Sequence, residues 1–275
     1  SRSPLASAEA RHTMSKNGLL KLLETVLPPL GSFGIFLLVW HLAVAFFRVE
    51  PFLLPGPAAV AKAVIAHLSP LLHAARLTAT GALGGFALSL VVGFLIALLF
   101  SQSRLIERSL YPYAIFLQTV PIVALAPLII LWIGHGMWGV VAVSFILSLF
   151  PVIANTTTGL TAVHADLLDL FALNDASTLQ VVVKLRIPNA VPHFLDGARI
   201  SCGLSVIGAI VGEFFAGYGA EDFGLGYLII LTNAQTKTDY LFASILFSTL
   251  LGLSFFAVVS LARQVVLRRW RGGSE

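Results

Sequence analysis

Four charged residues interrupt an otherwise apolar part of the chain, in the stretch DLFALNDASTLQVVVKLRIPNAVP (169–192): Asp169, Asp175, Lys184 and Arg186. Carboxylates and basic side chains in this pattern can form ion pairs with another protein. The stretch contains no nucleophile paired with a general base, which nucleophilic catalysis requires. These residues therefore indicate recognition of a partner and not catalysis.

The other residues with catalytic or metal-binding potential are scattered along the sequence. The chain has no GxxxxGK[ST] motif and no Gly-Lys pair, so no ATPase site of the P-loop type is predicted. His135, His164 and His193 have no nucleophile nearby, and a single cysteine, Cys202, excludes a CxxC metal site. We predict that the chain is not an enzyme and binds no cofactor or metal itself.

Polar residues inside apolar runs form a second group of candidates, because such residues in membrane segments are commonly functional. We predict that a substrate pathway involves Gln118, Thr119, Asn155, Thr156, Ser201, Ser205 and Glu213. These residues also have alternative roles. The threonines can bond back to helix carbonyls. Two charged residues of the same apolar run as Ser201, Asp196 and Arg199, are three positions apart and can neutralise each other.

Glu213 is the most costly of these residues to leave unpaired within a membrane. It either caps a neighbouring element or pairs with Arg76 or Lys237 at the outer surface, or it faces the pathway. A carboxylate in the pathway disfavours a bare anion. On that ground the sequence slightly favours a neutral heterocycle over nitrate or sulfonate as the solute.

The composition indicates which elements position these residues. Of 275 residues, 57% are hydrophobic and 11% are charged, against about 25% charged in soluble domains. The predicted fold is therefore an all-α polytopic membrane protein, with about 20 apolar residues needed for each crossing. Six runs qualify: Leu30–Phe47, Leu77–Phe100, Leu110–Ile133, Met137–Leu160, Val191–Ala216 and Tyr240–Val266.

The second and third of these apolar runs carry residues that affect helix packing and helix continuity. The second contains Gly81, Gly84, Gly85 and Gly93, small residues that allow close helix contact. The third contains three prolines and is predicted to be kinked or split. The resulting organisation is a tail over residues 1–29, a transmembrane domain of six helices over 30–266, and a second tail over 267–275.

The 17 Lys and Arg residues predict the orientation, since cytoplasmic segments carry the excess of positive charge. With the N-terminus inside, the outer segments hold four of them, and Arg199 lies within a span. The remaining twelve lie on inner segments. Both termini and the loop 164–188 are therefore predicted to be cytoplasmic.

The inner loop is predicted to have a defined shape. Leu167–Leu173 and Ser177–Leu185 are expected to form two short amphipathic helices. Asn174 and Asp175 suit the turn between them, because these residue types tolerate left-handed geometry. Pro188 is expected to close the unit before the next span begins.

The same loop keeps apolar residues where a plain connector would be polar. They are Leu170, Phe171, Leu179, Val182 and Val183. An apolar surface facing the cytoplasm indicates a binding partner.

The loop resembles the cytoplasmic signature of bacterial ABC importer permeases, which reads EAA, three residues, Gly, nine residues, Ile-x-Leu-Pro. The corresponding positions are Asp169-Leu170-Phe171, Asp175 in place of glycine, and Leu185-Arg186-Ile187-Pro188. Four further stretches are similar to permeases for nitrate, sulfonate, taurine, bicarbonate and pyrimidine or flavin precursors: LLPGPAAV (53–60), VPIVALAPLIILWIGHG (120–136), GARISCGLSVIGAIVGEFFAG (197–217) and GLGYLI (224–229).

The resemblance implies a type I importer permease fold in which the loop couples to an ATP-binding cassette dimer in the cytoplasm. ATP and Mg are then bound by those partner subunits. The coupling residues implied are Asp169, Leu170, Phe171, Asn174, Asp175, Leu179 and Pro188.

The resemblance also implies a place in the bacterial inner (plasma) membrane, surrounded by the lipid bilayer. Because the basic residues follow the membrane topology, no nucleic-acid partner is expected. A second permease copy, forming a homodimer, is expected together with an external or periplasmic solute-binding protein. The docking surface expected for that protein comprises Pro51–His67 and the outer loop 217–239, with Glu221 and Asp222. Tyr227–Leu231 within that loop is expected to be a re-entrant or gate helix.

Two other classes of function stay open from the sequence. An autonomous secondary transporter or channel needs an ion-coupling carboxylate or an inverted repeat. No repeat is visible, and Glu213 is the one coupling candidate. A membrane-embedded enzyme needs a catalytic constellation, which the scattered histidines do not provide.

Overall fold

The computed structural model describes residues 27–217 and 223–272, and within these ranges every regular element is helical. In chain order the helices are α1 (Leu27–Phe46), α2 (Pro57–Ala66), α3 (Leu68–Gln102), α4 (Arg104–Thr119), α5 (Ile122–Ile133), α6 (Met137–Thr161), α7 (Ala165–Leu173), α8 (Thr178–Val181), a π-helical turn (Val182–Arg186), α9 (Ile187–Ala216), α10 (Leu225–Ala234) and α11 (Thr238–Gly272).

Five helical segments in the described part of the chain are long and apolar enough to cross a membrane. They are α1, α3, α6, the continuous helix Thr178–Ala216, and α11. The third predicted run is split, as expected: α4 ends at Thr119, Val120 and Pro121 are extended, and α5 begins at Ile122. The all-α polytopic fold is confirmed, with the α4–α5 pair in place of a single third helix.

The prediction that Pro188 closes the loop is wrong. The chain is helical without interruption from Thr178 to Ala216, so the second loop helix and the fifth span are one element. The Ile187 N–H donates to Val182 O, five residues back, within the π-helical turn. Because proline has no N–H to donate, this wider turn lets the helix continue past Pro188.

The core of the bundle consists of α3, α6 and α9, which meet through small residues. All four predicted glycines of α3 face α6: a Cβ on Gly81 would lie 2.7 Å from Val140 Cγ1, and one on Gly93 would lie 2.8 Å from Val152 Cβ. The predicted close contact is confirmed. Such contact replaces the hydrophobic drive that is absent between helices in lipid.

The expected neutralisation of Asp196 by Arg199 within one helix is wrong. Asp196 Oδ1 instead lies 2.7 Å from Arg263 Nη2 of α11. The Arg199 guanidinium lies over the Phe256 ring, also on α11, 4.6 Å from its centroid. The Asp196 and Arg199 side chains both interact with α11 because α11 packs along α9. Residue spacing within α9 does not reveal this tertiary contact.

Candidate coupling loop and translocation pathway

The turn between α7 and α8 is built from the residue types that the sequence singled out. Asp175 adopts left-handed geometry, with φ of 50°. Asn174 caps α7, and its Nδ2 donates to Leu170 O at 2.8 Å. Ser177 and Gln180 form a capping box at the start of α8. The two-helix shape around residues 174 and 175 is thus confirmed up to the start of α8.

The tip of this loop exposes apolar side chains. The exposed fraction is 83% for Leu173, 71% for Leu179 and 53% for Leu170. Phe171 is half-buried, and Val182 is buried against the bundle. Leu173 was not among the residues selected from the sequence, although its position directly before the turn was a usable signal. Three leucines therefore form an apolar surface, called here the loop tip.

The C-terminal arm of the loop is fixed to the bundle. The Arg186 guanidinium donates to Ser101 O at the end of α3, and Asn189 Nδ2 donates to Gly159 O of α6 at 2.8 Å. These two hydrogen bonds connect the segment that follows the loop tip to α3 and to α6.

At the opposite end of α9, Glu213 is buried and caps α10. The Gly226 N–H donates to Glu213 Oε2 at 2.8 Å, and the Thr78 hydroxyl donates to the same oxygen at 2.9 Å. The Leu225 N–H in turn donates to Thr78 Oγ1 at 2.9 Å. A carboxylate at a helix N-terminus accepts from N–H groups that have no partner within the helix. Of the alternatives for Glu213, capping is the one the structure contains.

Two glycines make this cap possible. A Cβ on Gly224 would overlap the Glu213 carboxylate, and one on Gly226 would overlap Ile210 O. Only residues without a side chain let the start of α10 approach α9 this closely. The short helix α10, which includes the predicted Tyr227–Leu231 segment, is thus held on α3 and α9 by one buried polar cluster: Thr78, Glu213, Leu225 and Gly226.

A comparison with protein families assigns most of the chain to one family. The profile of one family, the binding-protein-dependent transport system inner membrane component, matches residues 89–272. This range covers more than half of the chain and includes the loop tip and Glu213.

The chain belongs to this family. Curated relatives in it include a formylaminopyrimidine transport permease protein of Halalkalibacterium halodurans, 36% identical over 247 residues, which are 89% of this chain and 96% of the relative. A riboflavin transport system permease protein of Chloroflexus aurantiacus is 30% identical over 88% of this chain and 90% of its own length. A putative aliphatic sulfonates transport permease protein of Bacillus subtilis is 30% identical over 70% of this chain and 67% of its own length.

Among solved structures, the chain matches the inward-facing MetNI methionine ABC transporter, with a TM-score of 0.61 and 14% identity over 74% of this chain and 98% of that one. At this identity the match concerns the fold alone. It confirms the type I importer permease fold that the sequence predicted. The chain is a permease component of an ABC transporter, a multi-pass membrane protein.

The predicted pathway residues of this permease fall into two groups. Gln118 and Thr119 are exposed at the end of α4, directly before the break at Pro121. Ser201 and Ser205 are fully buried between α9 and α6. Ser201 donates to Ser148 O at 2.6 Å, and the Ser144 hydroxyl donates to the carbonyl of Ser205 at 2.8 Å. The buried pair holds two permease helices together in this conformation.

The polar residues of α6 differ among themselves. Asn155 is half-buried, and its Nδ2 donates to Pro151 O at 2.8 Å. Thr158 bonds back to Ala154 O, as the alternative role predicted. The hydroxyls of Thr156 and Thr157 are buried without a partner in the described part of the chain. A role of these residues in substrate passage stays a prediction.

Thr78 is the functional candidate that the sequence did not reveal. We expect Thr78→Val to lower the free energy of unfolding by about 1–3 kcal/mol, because the buried Leu225 N–H loses its acceptor. Thermal unfolding of the purified permease measures the effect. Thr80→Val is the matched control, since the exposed Thr80 hydroxyl bonds only to Leu77 O and weakly to Met137 Sδ. Equal destabilisation by both variants would contradict the cap.

Proposed function

We propose that this chain forms the translocation pathway of an ATP-driven solute importer and couples to ATP-binding subunits through the loop 164–188. The exposed loop tip carries this proposal. Exposing three leucine side chains to water is energetically unfavourable, and a partner that covers them removes this cost. Burying one leucine stabilises a complex by about 1.5–3 kcal/mol. ATP and Mg are bound by the partner subunits and not by this chain.

The continuous helix from Thr178 to Ala216 gives the coupling a mechanical basis. Leu179 of the loop tip and Glu213 of the cap lie on the same 39-residue helix. A movement of the loop tip that accompanies ATP binding is therefore carried along this helix to the cap of α10 at the opposite end. The residues proposed to couple are Asp169, Leu170, Phe171, Asn174, Asp175, Leu179 and Pro188.

The assembly that we propose contains a second copy of this permease and an external or periplasmic solute-binding protein. The loop end of the bundle lies in the cytoplasm of the bacterium, with both termini on that side. The solute-binding protein docks on the opposite surface, at α2 and the segment 217–239. Glu221 and Asp222, expected to contribute there, lie outside the described residues.

For the solute we propose a small heterocycle. The relatives named for formylaminopyrimidine and riboflavin transport, 36% and 30% identical over nearly the whole chain, carry this proposal. The sequence alone favours a heterocycle because a Glu213 carboxylate facing the pathway would disfavour a bare anion. That reason does not apply to the conformation described, because Glu213 is 5% exposed and caps α10.

The coupling proposal is tested by co-purifying the chain with its candidate ATP-binding subunit. We expect stable recovery of the wild-type complex and its loss when Leu173 and Leu179 are both replaced by aspartate. Loss of about 2 kcal/mol at each position corresponds to roughly 30-fold weaker binding per residue. Thr178→Asp is the control for one of the two added charges, since it places a carboxylate beside Leu179 without removing an apolar side chain.

Two results would contradict coupling through the loop. One is undiminished recovery of the complex with the double aspartate variant. The other is solute uptake by the chain alone in liposomes, independent of ATP and of the substitutions. The second result would favour the alternative of an autonomous secondary transporter or channel.

A further inference from the structure

A cavity of about 560 Å³ opens at the loop end of the bundle. It lies between the end of α3, the start of α4, the end of α6 and the loop 164–188. Neither the loop tip nor the predicted substrate pathway includes the residues that line it. Its lining combines basic side chains with an apolar wall.

The basic side chains are Arg104, Arg108 and Arg186, and among the described residues Glu107 is the one acidic side chain in the lining. In the described part of the chain neither Arg104 nor Arg108 forms an ion pair or a side-chain hydrogen bond. Arg186 is oriented by its bond to Ser101 O. Two arginines therefore present unused donors to the cavity, which carries a net positive charge and selects an anion.

The apolar part of the lining includes Phe100, Tyr111, Pro112 and Leu160. These residues lie beside the arginines, so the cavity is amphipathic. A free inorganic anion can pair with the arginines but makes no favourable contact with the apolar side chains. A molecule with an anionic group and an attached apolar portion can contact both the arginines and the apolar side chains.

The outer side of α4 continues the apolar surface away from the cavity. Leu105, Tyr113 and Phe116 of this helix are 75%, 69% and 63% exposed. Their spacing places them on the face of α4 next to the one that carries Arg104 and Arg108. Acyl chains can lie along this face while a phosphate group reaches the arginines.

We propose that the cavity binds the headgroup of an anionic phospholipid, with Arg104 and Arg108 on its phosphate. Basic pockets between helices at the cytoplasmic membrane boundary take such headgroups. Arg186 lies in the same cavity and on the same continuous helix as Leu179. The lipid headgroup therefore contacts the segment that joins the loop to α9, and its binding stiffens this joint.

The binding is tested by native mass spectrometry of the detergent-purified full chain with phosphatidylglycerol or phosphatidylcholine. We expect preferential retention of phosphatidylglycerol and its loss in Arg104→Gln/Arg108→Gln, by about fivefold for each arginine removed. Arg268→Gln/Arg269→Gln is the control, because it removes the same charge from exposed positions of α11 on the same side of the membrane. We expect this control to retain the lipid.

Four results would overturn the proposal. Three concern retention: equal retention of the two lipids by the wild-type chain, unchanged retention by the Arg104/Arg108 variant, and equal loss in the control variant. The fourth comes from competition with inorganic phosphate, since displacement of phosphatidylglycerol by millimolar phosphate would assign the cavity to a free anion. The assay contains no ATP-binding subunit, so its failure is distinguishable from failure of the coupling proposal.

Discussion

Replacing Glu213 by alanine is expected to lower the free energy of unfolding by about 3 kcal/mol, with a fall in Tm of about 6–12 °C. The Gly226 N–H is buried beside the carboxylate and loses its acceptor. The Thr78 hydroxyl lies within hydrogen-bond distance of both Glu213 Oε2 and Ala74 O, so in the variant it donates to Ala74 O alone. A void remains where the carboxylate stood, which adds to the cost. Thermal unfolding of the purified permease in detergent measures the change.

The position of α10 is expected to change in the same variant. Leu225 and Gly226 begin this helix, and their N–H groups are held by Thr78 and Glu213. Without the cap, the first turn of α10 exchanges its amide hydrogens faster than in the wild type. Hydrogen exchange over residues 225–234 therefore separates local release of α10 from global destabilisation.

Glu213→Gln is the matched control for the cap. One oxygen, Oε2, accepts both hydrogen bonds in the structure, and the amide oxygen of glutamine can replace it. We expect glutamine to retain most of the stability that alanine loses. Destabilisation by glutamine equal to that by alanine would show that hydrogen-bond acceptance at this position is not what stabilises α10.

The shape of the loop was predictable because its signals are local. Asn174 and Asp175 favour a turn wherever they occur, and Ser177 with Gln180 makes a capping box within four residues. The path after Val181 was not predictable in this way. Proline usually marks a boundary, and the π-helical turn that carries the chain past Pro188 has no comparable sequence signal.

The partners of polar groups were poorly predicted because they come from distant elements. Thr78 and Glu213 are 135 residues apart in sequence. Asp196 binds Arg263 of α11 instead of its neighbour on α9. A single sequence predicts that a buried carboxylate needs a partner, but packing of the whole bundle selects which one. The glycines of α3 are different, since a row of small residues on one helix face already indicates close contact.

Gly208→Val is expected to disrupt the contact between α6 and α9, with a loss of about 3 kcal/mol or more, or failure to yield folded protein. A Cβ at Gly208 would lie 2.7 Å from Ser144 Cα and 3.1 Å from Val143 O. Both neighbours belong to the backbone of α6, so no side chain can rotate away. The two helices must separate, and overpacking of this kind costs about 1–3 kcal/mol or more.

Separation of the helices also breaks the hydrogen bonds from Ser144 to Ser205 O and from Ser201 to Ser148 O. Interhelical bonds in membranes contribute about 0.6 kcal/mol each on average, so steric overlap dominates the loss. Gly203→Val is the control on the same helix, because a Cβ at Gly203 has no atom within 4 Å. Size-exclusion profiles and Tm of the two variants measure the difference. If Gly203→Val is as damaging as Gly208→Val, the loss of glycine in α9 and not contact with α6 is responsible.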